Sequence, residues 1–237
     1  MLMQKHVRQL RYNCYDIQLM RVFTHYREIS GENSDGFRFR TLLQFGSSWD
    51  IVGSVVMKNP GSANFKSPEP IKDEELLSPL MKFDDGQNDD SWYEFKADNT
   101  MRCIASMFTE YFQRNTSRPL EGVVQIFNLF YIKDVNLHAG LDKLQRVGNL
   151  DIIDFDIAHL KAPIYLGFSN LGKAPKLREN AERFFNEALK QGMRNKDADF
   201  FKNKFPHPLY LMLYGKNRED IKMERLKFYQ NTLTPTK

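Results

Sequence analysis

Alternating and continuous apolar runs divide the chain into strands and helices. The run 51–57 (IVGSVVM) is apolar and β-branched, which favours a strand buried on both faces, and Pro60 in the Asn59-Pro60-Gly61 turn cannot extend that strand. Further strands are predicted at 122–131 and 162–168. Helical spacing of apolar residues predicts helices at 73–81, 98–112, 154–160 and 177–189.

The order of strand, helix-bearing crossover and strand is typical of parallel units with right-handed connections. We therefore predict a single α/β domain over 1–237, a three-layer α/β/α sandwich around a mostly parallel central sheet. Segments 15–28 and 36–45 alternate polar and apolar residues, which indicates an N-terminal antiparallel hairpin within 12–46. Because alternation is typical of a strand with one wet face, we expect this hairpin to lie at the edge of the sheet.

Charge is distributed unevenly around the formal net charge of +4. The stretch 67–98 carries three lysines against ten acidic residues, and we interpret 64–97 as an acidic, mobile lid-like insertion. The chain from 202 onward carries eight basic against three acidic residues, and a basic helix is predicted over 216–237. Both stretches are also compatible with ordinary solvated faces.

Several function classes are disfavoured by the composition and by absent motifs. No apolar run reaches the roughly 18 residues of a membrane span, so no membrane partner is predicted and the expected location is the cytoplasm. Cys14 and Cys103 lack the spacing of a zinc site or a disulfide framework, and no metal or cofactor is predicted. Phosphate-loop, dinucleotide, hydrolase-elbow and metalloprotease motifs are absent. The oligomeric state is left open.

Polar residues at predicted strand ends and turns are the candidate site. Asn side chains can donate to and accept from the edge of a base, and a His can stabilise developing negative charge. Each has a structural alternative: a brace for its own turn (Asn59), a helix cap (Asp98), a partner for nearby backbone (Asn128) or the ordering of a loop (His207). The predicted catalytic residues are Asn59 and His207, and the predicted ligand-binding residues are Pro60, Gly61, Ser62, Asp98, Thr100, Asn128 and Pro208.

The candidate residues lie in four short stretches that follow one another along the chain: VVMKNPGSA (55–63), DNTMRC (98–103), VQIFNLF (124–130) and PHPLY (206–210). The series resembles a mainly bacterial family of unknown function, whose pattern runs V-M-L-N-P-S-T-A-D, D-D-P-T-I-R-R-C, V-V-N-L-F and P-x-H-P-L-Y. Order and rough spacing agree over about 36–215. This chain departs from the pattern in four ways: Gly61-Ser62 replaces Ser-Thr, Asn64 replaces an acid, Asn99 replaces the second Asp, and the acidic connection is long.

The pattern is in turn distantly similar to the uracil-DNA glycosylase superfamily. That resemblance implies a uracil-DNA glycosylase-like fold in which Asn59-Pro60-Gly61 and His207-Pro208 flank a pocket for a flipped base. It implies a nucleobase, nucleotide or nucleic-acid partner, and hydrolysis of an N-glycosidic bond if the protein is an enzyme. The alternative from the residues is a non-enzymatic binding or interaction protein with a pocket for a small metabolite or a peptide.

Overall fold

The computed structural model describes residues 20–29, 36–61, 63–84, 91–116, 118–134, 136–148, 150–171, 174–193, 197 and 199–209. These residues form a mixed α/β fold with six strands and five α-helices. The strands are β1 (Arg21–Glu28), β2 (Gly36–Phe45), β3 (Ile51–Met57), β4 (Trp92–Phe95), β5 (Gly122–Asn128) and β6 (Ile164–Leu166). The helices are α1 (Glu74–Leu80), α2 (Asn99–Asn115), α3 (Leu137–Val147), α4 (Ile153–Ala158) and α5 (Pro175–Lys190).

The six strands form one open sheet in the order β4-β1-β2-β5-β3-β6. β3 pairs in parallel with β5 and β6, as predicted for the run 51–57. The pairs β1–β2, β1–β4 and β2–β5 are antiparallel. The predicted α/β class is confirmed, but the prediction of a mostly parallel sheet is wrong because three of the five strand pairs in the described chain are antiparallel.

Successive residues of each strand project to opposite faces of the sheet, and the apolar ones pack in two separate cores. On one face Val55 and Ile126 pack with the apolar side of α2, which includes Ile104 and Phe108. The other face packs with α5, and the core on that side includes Val56, Phe127, Leu166, Ala181, Phe184 and Phe185. No helix in the described ranges is long and apolar enough to cross a membrane.

The hairpin β1–β2 forms as predicted, but it does not lie at the edge of the sheet. β4 pairs outside β1, and β2 pairs with β5, so both hairpin strands are interior. Nine of the ten β2 residues are buried, although Arg38 and Arg40 are among them. The expectation of a solvent-exposed face on this strand is wrong, because the polar side chains of Arg38 and Arg40 are buried inside the protein.

The segment 64–97 is packed onto the sheet in its described residues. Asp73 caps α1, and β4 adds to β1 through the pairing of Val22 with Phe95 and of His25 with Trp92. The side chains of Leu80, Phe83 and Trp92 are buried in one apolar cluster. Apolar side chains therefore anchor the described parts of this segment, 64–84 and 91–97, while 85–90 lie outside the described residues. That the segment acts as a mobile acidic lid stays a prediction. The predicted basic helix over 216–237 also lies outside them.

Candidate functional site

A cavity of about 350 Å³ opens beside the carboxyl ends of β3 and β5. The start of β2 borders it because β2 runs antiparallel to β5, and the Arg38 amide donates to the Tyr131 carbonyl just beyond β5 (2.8 Å). The first turn of α2 and the segment around His207 complete the walls. The polar lining includes Arg38, Asn59, Asp98, Asn128 and His207, and the apolar wall includes Met57, Ile104 and Ile126.

β3 ends at Met57, and the Asn59-Pro60-Gly61 turn begins after Lys58; all three turn residues line the cavity. Gly61 has φ +70°, a left-handed conformation that favours glycine. The Asn59 Nδ2 donates to the Asp134 carbonyl at 3.1 Å. This bond braces the turn, and it leaves the Oδ1 of Asn59 as the end of the amide with which a ligand or water can interact. Ser62 lies outside the described residues.

Asn128 ends β5 and stands in register with Met57 of β3. Its side chain lines the cavity and the residue is 1% exposed. The Oδ1 has no hydrogen-bond partner, so this oxygen does not accept from a neighbouring backbone N–H. A buried acceptor without a donor carries a desolvation cost.

Asp98 caps α2, as its position before the apolar periodicity predicted. Its Oδ1 accepts from the Met101 amide at 2.9 Å. Its Oδ2 lies near Gly61, where a Cβ would sit 3.7 Å from it. Asp98 and Thr100 both line the cavity, so the helix cap also places one carboxylate oxygen beside the Asn59 turn.

His207 lines the cavity as a half-buried side chain. Burial lowers its pKa from 6.5, and the nearby Lys58 acts in the same direction, while Asp98 opposes them. The Nδ1 accepts from the Leu209 amide at 3.2 Å. A neutral imidazole that accepts at Nδ1 carries its proton at Nε2, so His207 is a neutral Nε2–H donor at physiological pH.

Two hydrogen bonds hold the His207 segment against β6. The Ser169 amide donates to the Phe205 carbonyl (2.6 Å), and the Tyr165 Oη donates to the Pro206 carbonyl (2.7 Å). Pro208 is buried and packs near Gly167, where a Cβ would come 3.1 Å from the proline Cδ. Pro208 supports the turn without being among the residues that line the cavity.

Arg38 is a charged cavity residue that the sequence did not indicate, as is Asp134. Arg38 is 2% exposed, and burial lowers its pKa from 12.5 to about 10, opposed by the charge of Asp98. Its guanidinium lies 5.6 Å from the centroid of the Phe95 ring. Its place in a regularly alternating strand indicated a solvent-facing residue, whereas in the structure it is buried beside the Phe95 ring and the cavity.

A bulge in β2 separates Arg38 from Arg40. Arg40 has φ +47°, and the register of β1 with β2 shifts by one residue at this point. In a regular strand the two arginines would share a face, but Arg40 instead stacks on Phe39 and Phe155 (5.6 and 4.6 Å from the ring centroids). Bulges commonly redirect a side chain in this way.

The surroundings of Arg40 form a second polar cluster, defined here as the Arg40 cluster: His25, Arg40, Asp84, Tyr131 and Asp156. The His25 Nε2 is 2.6 Å from the Asp84 Oδ1, and the Arg40 Nη1 is 4.0 Å from the same oxygen. Tyr131 donates its hydroxyl to the Asp156 carboxylate. Burial and the Asp156 charge raise the pKa of Tyr131 well above its usual range.

The fold and cavity together define a mixed α/β protein with a polar pocket at the carboxyl ends of its parallel strands, where open α/β sheets usually bind ligands. Within the described chain, no group of three or more His, Cys, Asp or Glu side chains is arranged to hold a metal ion. No family model, curated protein or solved structure matches the sequence or its fold.

Proposed function

We propose that the cavity binds a nucleobase or nucleotide. The observation that carries this proposal is the convergence of Asn59, Asn128 and His207 on one cavity of about 350 Å³. Amide and imidazole groups over the apolar surface of Ile104 and Ile126 suit a flat ring with a polar edge, and the volume lies in the usual range for small-molecule pockets.

The resemblance of the four motifs to the uncharacterised bacterial family, and through it to uracil-DNA glycosylases, supports the same ligand class. The motif residues that the structure describes supply most of the polar lining of the cavity. The packing of α2 and α5 with opposite faces of the sheet supports a uracil-DNA glycosylase-like three-layer arrangement as part of the proposal.

If the bound molecule is a nucleoside or nucleotide, the chemistry suited to this cavity is hydrolysis of the N-glycosidic bond. The C1′–N bond breaks with its electron pair on the base, and a water oxygen bonds to C1′. The Asp98 Oδ2 accepts a proton from that water, Asn59 orients it, and the Nε2–H of His207 stabilises the base anion. Transfer of the proton to the ring nitrogen gives free base and free sugar, which balances the water consumed.

A non-enzymatic binding protein is the second candidate, favoured by the structural roles of the two cavity carboxylates. Asp98 caps α2. Asp134 accepts from the Lys143 Nζ and the Asn136 amide (2.8 and 2.7 Å), and these bonds lower its pKa although burial opposes them. In such a protein the same pocket would hold a small metabolite or a peptide side chain.

Thermal unfolding with bases, nucleotides and short single-stranded DNA tests the proposal. A ligand at about 100 times its Kd stabilises the folded state by about 2.7 kcal/mol, which raises Tm by roughly 5–10 °C for a domain of this size. We expect such a shift with a base or nucleotide, and its loss in His207→Ala. His138→Ala is the matched control because His138 is exposed on α3, away from the cavity lining.

The salt dependence of the same assay separates the ligand classes. Binding through a nucleic-acid backbone weakens steeply with salt, whereas binding of a free base does not. No shift with any base, nucleotide or single strand at millimolar concentration would overturn the proposal and leave the metabolite or peptide alternative.

A further inference from the structure

Asp134 joins the Asn59 turn to α3 through its main chain and its side chain. Its carbonyl accepts from the Asn59 Nδ2 at 3.1 Å. One carboxylate oxygen accepts from the Asn136 amide (2.7 Å), and the other accepts from the Lys143 Nζ (2.8 Å). Asn59 and Asp134 line the cavity, whereas none of the described α3 residues is among its lining residues. A cavity side chain is therefore connected to a helix that lies outside the cavity lining.

The contacts with Asp134 matter because α3 has little apolar anchoring. Among its described side chains, Leu141 and Leu144 are only partly buried against the core, whereas α2 and α5 bury Phe108 and Phe184 completely. Segments with few buried apolar contacts open locally at a low cost in free energy. The placement of α3 therefore depends strongly on its contacts with Asp134.

The ion pair between Asp134 and Lys143 is mostly shielded from solvent. The exposed side-chain fractions are 10% for Asp134 and 18% for Lys143. Burial acts to raise the pKa of Asp134, but the hydrogen bonds from Lys143 and from the Asn136 amide outweigh it and lower the pKa. Asp134 is therefore a carboxylate at physiological pH. Gly140 allows the close approach of α3, since a Cβ there would lie 3.3 Å from the Asp134 Cβ.

We propose that Lys143 is a positioning residue for Asn59, so that the docking of α3 sets how tightly the cavity binds its ligand. This inference rests on the proposed function, in which Asn59 contacts the ligand or the attacking water. When the ion pair is lost, α3 no longer holds Asp134 in place, and the carbonyl that fixes the Asn59 amide shifts with it. By linkage, a ligand that needs a fixed Asn59 must also stabilise the docked α3.

The side-chain amide of Asn59 reports its own surroundings in proton–nitrogen correlation NMR spectra, without any ligand. Its resonance is assigned by its loss in Asn59→Asp. We expect this resonance to move in Lys143→Met, because the carbonyl that accepts from the Nδ2 is displaced. It should return to the wild-type position in Lys143→Arg, which restores a cation beside Asp134.

Isothermal titration calorimetry with the base or nucleotide that wild type binds measures the effect on affinity. We expect Lys143→Met to raise Kd about fivefold or more, in the usual range of coupling between separate sites, and Lys143→Arg to stay within about twofold of wild type. Lys190→Met is the matched control, since it removes an exposed lysine that pairs with Glu187 on α5 (3.2 Å), outside the cavity lining. It should change neither Kd nor the Asn59 resonance.

Gly140→Ala disturbs the same contact without removing a charge, and it provides a second variant if Lys143→Met does not fold. Its Cβ would crowd Asp134, so α3 must shift, while alanine itself favours a helix. We expect the Asn59 resonance to move in this variant as well. Circular dichroism establishes which variants are folded.

An unchanged Asn59 resonance in folded Lys143→Met or Gly140→Ala would overturn the positioning role of Lys143 and leave the proposed function intact. A moved resonance with unchanged Kd would overturn the effect of α3 on affinity, and an equal response in Lys190→Met would overturn the inference as a whole. Failure of wild type to bind any base or nucleotide would overturn the proposed function and the effect on affinity, while the resonance would still decide whether Lys143 positions Asn59.

Discussion

Arg38 and Arg40 stand two residues apart in β2, and both are almost fully buried, yet their surroundings differ. Arg40 lies between two aromatic rings, with its Nη1 4.0 Å from the Asp84 carboxylate. Among the described residues, the Arg38 guanidinium donates to the Ala63 carbonyl at 3.3 Å and lies 5.6 Å from the centroid of the Phe95 ring, and Arg38 lines a cavity that Asp98 also lines. A buried charge that contacts aromatic rings and a carboxylate is typical of structure, whereas a buried charge that lines a cavity is typical of a binding site.

Arg40→Met should produce the largest loss of stability. Removal of the guanidinium takes one cation from the Arg40 cluster, in which the Asp84 carboxylate also meets the buried His25. Breaking a buried charge pair typically costs about 3 kcal/mol or more. Urea denaturation of Arg40→Met and wild type measures the difference in the free energy of unfolding. A loss below about 1 kcal/mol would contradict a structural role for Arg40.

Arg38→Met should increase the free energy of unfolding of the protein without ligand, whereas Arg40→Met decreases it. The fall of the Arg38 pKa from 12.5 to about 10 corresponds to roughly 3 kcal/mol of unfavourable burial. Arg38→Met removes this cost but also removes the hydrogen bond to Ala63 and the contact with the Phe95 ring. We therefore expect the free energy of unfolding to rise by about 1–2 kcal/mol. The same urea experiment measures it. A fall as large as that of Arg40→Met would show that both arginines are structural.

Tyr165→Phe tests how firmly the His207 segment is held beside the cavity. It removes the 2.7 Å hydrogen bond to the Pro206 carbonyl, which should cost about 1 kcal/mol and reduce the ligand-induced rise in Tm. Tyr111→Phe is a matched control, since Tyr111 is also buried on this side of the sheet but does not line the cavity. Equal ligand response in both variants would show that this bond does not position His207.

Substitution of His207 should have the smallest effect on the free energy of unfolding, and this effect should appear in its pH dependence. Because the folded-state pKa lies below 6.5, the unfolded chain takes up the proton first as pH falls. Stability from this group is therefore complete above about pH 6.5 and declines below it. His207→Gln should lose less stability than wild type between about pH 8 and pH 5, measured by urea denaturation. His138→Gln is the control, and identical slopes for His207→Gln and wild type would contradict the buried neutral imidazole.

The candidate site was predictable where local chemistry decides the structure. The position of Asp98 before a run of apolar residues at helical spacing predicted that it caps α2. The β-branched run 51–57, which Pro60 cannot extend, predicted the Asn59-Pro60-Gly61 turn. Their functional roles stay predictions. Arg38 could not be found this way because polar alternation in a strand does not distinguish a solvent face from a buried polar one.

The sequence by itself determined the positions of β2, β3, β5 and the principal helices α2 and α5, because caps, proline and hydrophobic periodicity act within a few residues. The tertiary structure alone decided that β4 joins β1 and makes the hairpin interior, and that the segment 64–97 is packed in its described parts. It also decided that Arg38 and Asn128 share a cavity. These outcomes depend on contacts between residues far apart in the chain, whose energies no local pattern contains.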